Sequence, residues 1–238
     1  MPTNSVVIGG TRGIGKTIVD QLRKRGDRVH TVSRRDLKDE NHIKFDISLD
    51  DIQTLSDAIS FDFNYLVFTH RYRGTEWDEE FQITVKAINV IFDALRPNFR
   101  NDASVVIIGS VAGFFVFDEQ PAAYHASRAS LEALTRYYAV VYGKSKIRFN
   151  CVLPSTVIKP ENEAFYSEDN EVRNLIERIT PLGRMGNSQD IANLVDFLCS
   201  ERSSFITGRS FLLDGGLSLV GQESLARNLL DLRHPNAR

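Results

Sequence analysis

The sequence predicts an α/β fold, a doubly wound parallel sheet with helices on both faces. Three observations carry this. Short runs rich in β-branched residues alternate along the chain with longer amphipathic stretches. The runs hold few charges, as strands covered on both faces do. A glycine-rich turn, Gly9-Gly10-Thr11-Arg12-Gly13-Ile14-Gly15, stands between the first run and the first amphipathic stretch. The length, 238 residues, is ordinary for one such domain with a sizeable core.

The elements follow in order. Residues 6–8 form the first strand, and Ile14, Ile18 and Leu22 recur at helical spacing behind the glycine turn. Residues 29–32 are the second strand. The stretch 33–41 is too polar and too short for a full helix, so the third strand, 42–45, follows directly. Ser48 with Asp51 three residues on reads as a cap for a helix over 49–60. Residues 65–68 give the fourth strand. Phe81, Val85, Ile88 and Leu95 then mark a long helix between Trp77 and Pro97. Residues 105–108, 147–152 and 210–213 are three further strands. Between them lie helices marked by Leu131 and Leu134, and by Ile191, Leu194 and Leu198. Alternation of this kind implies parallel strands joined by helical crossovers. In the tail, Leu225, Leu229 and Leu232 mark a short helix, and the basic end 234–238 is expected to fray.

Composition excludes several classes. Lys plus Arg is 29 and Asp plus Glu is 31, a formal charge of −2, which leaves no electrostatic footprint for nucleic acid as a partner. Hydrophobic residues at 42% and charged residues at 25% are a globular mixture. No apolar run approaches the ~18 residues of a membrane span. The start Met1-Pro2-Thr3-Asn4 lacks the basic region of a signal peptide. Cys151 and Cys199 each stand alone in an apolar stretch, as in a reducing cytoplasm. His30, His42, His70, His125 and His234 are scattered without ligand spacing, so no metal is expected.

The glycine turn is the first functional signal. Gly9, Gly13 and Gly15 allow a tight turn and close backbone approach. The helix that follows offers free N–H groups and a positive dipole end to a pyrophosphate. A site for NAD would carry an acidic residue at the end of the second strand. This chain has Ser33-Arg34-Arg35 there, with Arg12 close by in such a fold. Guanidiniums at that point suit the extra phosphate of NADP(H), which they bind through paired donors.

Tyr124 and Arg128 are four apart on one helix and share a face. Ser110 ends the fifth strand. A free phenol titrates near 10 and needs a fall of ~3 units, roughly 4 kcal/mol, to act as an acid near neutral pH. One cation about 5 Å away, at an effective dielectric near 20, supplies ~3 kcal/mol. A serine hydroxyl nearby would hold a carbonyl oxygen.

From the glycine turn through Asp214-Gly215-Gly216, the sequence resembles the short-chain dehydrogenase/reductase family, a Rossmann-like fold. Gly9-x-x-x-Gly13-Ile14-Gly15 resembles its cofactor loop, and Phe45-Asp46-Ile47 its adenine-contacting Asp motif. Ile108-Gly109-Ser110 with Tyr124-His125-Ala126-Ser127-Arg128 is similar to its catalytic Ser and Y-x-x-x-K. Asn150-Cys151-Val152-Leu153-Pro154 is similar to its nicotinamide-contacting segment. Pro181-Leu182-Gly183-Arg184, Asp190-Ile191-Ala192 and Thr207-Gly208 resemble its C-terminal pattern. The resemblance implies a domain over 1–216 with a substrate lid at about 159–181, followed by a tail at 217–238. It implies Ser110, Tyr124 and Arg128 as catalytic residues. It assigns Gly9, Thr11, Arg12, Gly13, Ile14, Ser33, Arg34, Arg35, Asp46, Ile47, Thr69, Tyr124, Arg128, Pro154 and Val157 to the cofactor. It also implies a homodimer or homotetramer, pairing through the 77–97 helix and the one beginning near Tyr124, where Ile91, Phe92, Tyr137, Tyr138 and Tyr142 are surplus apolar residues.

The chain departs from the family pattern at several points. Arg128 stands for the catalytic Lys, and Thr84 for the helix Asn. Phe68-Thr69-His70-Arg71 replaces Asn-Asn-Ala-Gly, Ser155 replaces the Gly after Pro154, and Lys159 replaces the Thr that follows. Arg keeps the charge but not the compact rotating ammonium of Lys. His70 reads as structural or cofactor-contacting, or as a replacement proton path. The lid is acidic at Glu161, Glu163, Glu168, Asp169 and Glu171, while His70, Arg71, Arg73 and Lys159 make the cleft basic. Two readings stand at this point. One is an NADP(H)-dependent oxidoreductase acting on a small carbonyl or alcohol. The other is a nucleotide-binding protein of the same fold with little redox activity, a sensor, scaffold or partner subunit.

Overall fold

The structure, a computed structural model, describes residues 3–167 and 170–232. Glu168 and Asp169 of the acidic lid and the basic end 234–238, with His234, lie outside the described residues.

Seven parallel strands form one sheet in the order β3-β2-β1-β4-β5-β6-β9. They are β1 (Asn4–Ile8), β2 (Arg28–Ser33), β3 (His42–Lys44), β4 (Phe63–Phe68), β5 (Phe99–Ile108), β6 (Ile147–Pro154) and β9 (Arg209–Leu213). A small pair, β7 (Val157–Ile158) with β8 (Gly186–Asn187), sits apart from it. Each expected strand forms, and 33–41 holds no helix, as its polarity predicts.

Strand periodicity sorts the core into two layers. Val6, Ile8, Leu66, Phe68, Val105, Ile107, Phe149, Cys151 and Leu153 point to one face. There they pack under α2 (Ile52–Ala58), α4 (Ala87–Leu95) and α5 (Ala122–Tyr142). Val7, Val67, Val106 and Val152 point to the other, under α1 (Gly13–Arg25) and α7 (Ser188–Leu198). These strands are buried on both faces, which is why their sequence is continuously apolar. The α1 helix ends on Gly26 in the left-handed region, whose N–H bonds the Arg23 and Leu22 carbonyls. Arg25 then ties α1 to α7 through the Asp196 carboxylate at 3.0 Å and the Cys199 carbonyl at 2.6 Å.

Three expectations change. The α2 helix is shorter than 49–60, and its cap is Asp51, whose carboxylate accepts from the Gln53 N–H at 3.0 Å. Ser48 instead donates to Asp46 at 2.6 Å, because the Asp46 turn is nearer than the helix start. The helix between Trp77 and Pro97 forms without a break but changes pitch along its length. It runs as α3 (Trp77–Glu80), a π-helical turn Phe81–Lys86, and α4. Finally, Ile91, Phe92 and Tyr138 are not surplus. They are buried, and Phe92 packs against the rings of Phe99, Tyr138, Tyr142 and Phe149. Tyr137, Val140 and Val141 of α5 remain exposed.

Two further helices complete the chain. The segment expected as a lid carries α6 (Glu171–Ile179), and the segment after Gly216 forms α8 (Gln222–Leu229), which takes in Leu225 and Leu229 and stops short of Leu232.

Candidate active site

At the point where strand order reverses between β1 and β4, a cleft of about 1300 Å³ opens beyond the carboxyl ends of the strands. The catalytic and cofactor-binding residues expected from the sequence all line it. The glycine turn supplies Gly9, Thr11, Arg12, Gly13 and Ile14, and the end of β2 supplies Ser33, Arg34 and Arg35. Asp46 and Ile47 follow β3, Thr69 follows β4, Ser110 follows β5, and Pro154 and Val157 lie at the end of β6 and on β7. Tyr124 and Arg128 reach in from the first turns of α5.

The glycine turn fits a dinucleotide. Gly9 has φ of 88°, and a Cβ there would stand 2.8 Å from the His70 backbone nitrogen and the Thr69 hydroxyl. A Cβ on Gly15 would run into the Gly9 carbonyl. The turn is therefore folded as tightly as the backbone allows, and α1 begins at its end with open N–H groups. Thr69 fixes this turn by donating its hydroxyl to the Ile8 carbonyl at 2.9 Å. Asp46 accepts from both the N–H and the hydroxyl of Ser48, at 3.0 and 2.6 Å. Arg12, Arg34 and Arg35 are exposed, and none has an ion-pair partner among the described residues. No acid occupies the end of β2.

At the other end of the cleft, Ser110 accepts from the Ala112 N–H at 3.2 Å, which leaves its own O–H to donate. The Arg128 guanidinium lies over the face of the Tyr124 ring, 4.5 Å from its centroid. It is not open to the cleft as a lone cation. Its Nη2 donates to Glu80 Oε1 at 3.2 Å, and both side chains are buried, 3% and 4% exposed. Ser127 donates to the same Glu80 oxygen at 2.6 Å. Thr84, at the expected position on the π-helical turn, is buried with its hydroxyl unpartnered. The ring nitrogens of His70 are also buried and make no well-formed hydrogen bond. Burial holds the His70 pKa down to about 4, with the Arg128 charge adding and the Ile83 backbone opposing, so the ring is neutral near pH 7.

Two carboxylates were not assigned a role by sequence. Glu80 lies in an acidic run, Asp78-Glu79-Glu80, that reads as a solvated helix face. The signal for it was Arg128 itself, since a buried guanidinium needs a counter-ion. Glu161 places its carboxylate against Gly13 at the start of α1, 2.8 Å from where a Cβ would stand. Lys159 is half-buried beside it, its pKa lowered first by burial and then by the neighbouring charge of Arg71. His30, His42 and His125 make contacts within the fold. His42 accepts from the Thr31 hydroxyl and donates to the Arg35 carbonyl, each at 2.8 Å. His125 accepts from the Phe117 N–H at 2.9 Å, and His30 packs on Phe61. No metal-ligating cluster occurs among the described residues.

A doubly wound sheet with a glycine turn and a cleft at its switch point is the architecture of dinucleotide-binding proteins. The comparisons narrow it. The family profile described as Enoyl-(Acyl carrier protein) reductase matches residues 58–218. A tropinone reductase homolog of Arabidopsis thaliana is 31% identical over 246 residues, covering 91% of this chain and 92% of that protein. An uncharacterised oxidoreductase of Schizosaccharomyces pombe is 28% identical, covering 94% of this chain and 93% of its own. Among solved structures, a short chain dehydrogenase family protein from Francisella tularensis superposes with a TM-score of 0.81 at 26% identity, covering 92% of this chain and all of that one (100%). The Pseudomonas aeruginosa RhlG/NADP active-site complex superposes with a TM-score of 0.77 at 26% identity, covering 90% of this chain and 96% of that one. The chain belongs to the short-chain dehydrogenase/reductase family, oxidoreductases that use nicotinamide cofactors.

Proposed function

We propose that this chain is an NADP(H)-dependent oxidoreductase that interconverts a small carbonyl compound and its alcohol. The observation that carries it is the shared cleft, with Ser110 and Tyr124 at one end and at the other three guanidiniums that have no acidic partner among the described residues. That RhlG forms a complex with NADP supports the same cofactor. Gly9, Thr11, Gly13 and Ile14 would hold the pyrophosphate region, Arg12, Ser33, Arg34 and Arg35 the 2′-phosphate, and Asp46 and Ile47 the adenine. Thr69, Pro154 and Val157 would flank the nicotinamide half. The nicotinamide, when bound, supplies or takes the hydride. Tyr124 gives its phenolic proton to the carbonyl oxygen in reduction and takes it back in oxidation. Ser110 donates its free O–H to that oxygen and orients the carbon. Residues 1–216 act as the cofactor-binding unit, with 159–181 as its lid and 217–238 as a tail. Two buried, unpaired thiols, Cys151 and Cys199, suit a cytoplasmic location.

The ion pair between Arg128 and Glu80 favours a second reading, a nucleotide-binding protein with little turnover, because it draws the cation's charge away from Tyr124. One experiment separates the two. NADPH binding is measured first, then NADPH consumption with a panel of carbonyl compounds, in wild type and Tyr124→Phe. Consumption that falls ~10²–10⁴-fold in the variant supports the reductase. Binding without consumption across the panel supports the second reading, and a variant as fast as wild type removes Tyr124 as the proton donor.

A further inference from the structure

We propose that Glu80 is a positioning residue for the reaction, holding the Arg128 guanidinium over the Tyr124 ring. The inference rests on the reading of Tyr124 as proton donor. Three contacts define the unit. Glu80 Oε1 accepts from Arg128 at 3.2 Å and from Ser127 at 2.6 Å, and the guanidinium carbon lies 4.5 Å from the Tyr124 ring centroid. Arg128 and Ser127 are adjacent on α5, so one oxygen gathers both from across the helix interface. Glu80 closes α3, immediately before the π-helical turn, and Glu80 and Thr84 are both buried on the side facing α5. An extra residue wound into a helix is a common device for aiming side chains at a site.

A structural role alone does not account for this pair. Taking two charges out of water costs several kcal/mol per ion, and well-packed apolar residues often serve stability as well or better. The pair sits on the site's aromatic ring, and its charge and geometry act there in opposite senses. The guanidinium brings a positive charge to the ring, and the carboxylate offsets it. The carboxylate also ties the planar guanidinium through its Nη2, a directional hold that a lone lysine ammonium would not need. The other titratable groups near the pair are His70 from the end of β4, Glu132 one turn further along α5, and Cys151 of β6. His70, with a pKa of about 4, and Cys151, pushed up to about 12, are both neutral near pH 7. Glu132, whose pKa burial raises, is a further carboxyl on α5, and Glu79 adjoins Glu80 on α3 and lines the same cleft.

The test compares wild type, Glu80→Gln and Glu80→Asp by pH-dependent carbonyl reduction, NADPH affinity and thermal melting. Reduction needs the protonated phenol, so its rate falls along an alkaline limb. Glu80→Gln removes the offsetting negative charge. The limb should move to lower pH by about one unit, and kcat should fall about tenfold or more with KM for NADPH little changed. Glu80→Asp keeps the charge and retracts it by one methylene. It should hold the limb in place while losing part of kcat. An unmoved limb in Glu80→Gln overturns the proposal, as does a loss confined to melting temperature. If Glu80→Gln does not fold, a wild-type kcat in Glu80→Asp overturns it. If no substrate is turned over, the Tyr124 phenolate is read from ultraviolet titration as the difference between each protein and its Tyr124→Phe counterpart. There the same shift in Glu80→Gln shows that Glu80 acts on Tyr124 through Arg128 although the reductase reading has failed, and no shift overturns the proposal itself.

Discussion

Arg12, Arg34 and Arg35 bring three positive charges to the end of β2, and no described side chain neutralises them. Ser33 accepts from the Arg35 N–H at 3.3 Å, so it is part of the local turn. A 2′-phosphate would supply the missing counter-charge, and the ribose hydroxyl of NADH would not. Arg34→Ala should therefore weaken NADPH by about ten- to hundredfold, the worth of a charge-assisted contact, and NADH by much less. Equal losses for the two nucleotides, measured by titration calorimetry, would show that Arg34 does not read the phosphate. These arginines were legible because their position follows from strand order and a turn. Glu80 was not, because sequence gives no sign of which residue of an acidic run faces inward. That depends on the π-helical turn at Phe81–Lys86, which no Gly or Pro announces.

The elements that could be read most surely were the central strands, whose β-branched runs leave no exposed face to confuse the pattern. Helix ends were harder. Asp51 caps α2 although Ser48 offers the same chemistry three residues earlier, since the turn at Asp46 claims the serine first. The lid shows the same limit at the scale of a segment. Its acidic character was plain, but nothing in the sequence says that Glu161 folds back onto the start of α1. There the carboxylate stands beside Gly13, close to the helix terminus that the glycine turn offers to a pyrophosphate, and a second negative group arriving there would be repelled by it. Glu161→Gln should tighten NADPH binding by about threefold or more, with the gain shrinking as salt is added. An unchanged dissociation constant across the salt series would mean that the lid carboxylate moves clear before the cofactor enters.

For the whole molecule, the sheet and its two helical layers account for most of the apolar sequence. Ile91, Phe92 and Tyr138 are absorbed into the chain's own core and supply no argument for association. What remains is narrower. Tyr137, Val140 and Val141 are 61%, 82% and 46% exposed on one stretch of α5, and Trp77 is 52% exposed and stacked on Phe81 at 5.4 Å on the neighbouring helix. Phe205, Leu219 and Leu182 form separate exposed apolar points, at 103%, 87% and 70%. Single exposed apolar residues are ordinary, but several on adjoining helices mark an association surface. A helix buried on its core face and apolar on its outer one calls for a second partner. The chain should therefore run in light scattering as a dimer or tetramer, through α5 and the α3–α4 segment. Val140→Glu places a charge where two copies would meet. It should release monomers at micromolar concentration while far-ultraviolet circular dichroism and NADPH binding stay as in wild type, because residue 140 touches neither core nor cleft. A wild-type monomer would contradict the assembly outright. An oligomer unaffected by Val140→Glu would move the interface from α5 to the surface carrying Phe205 and Leu219.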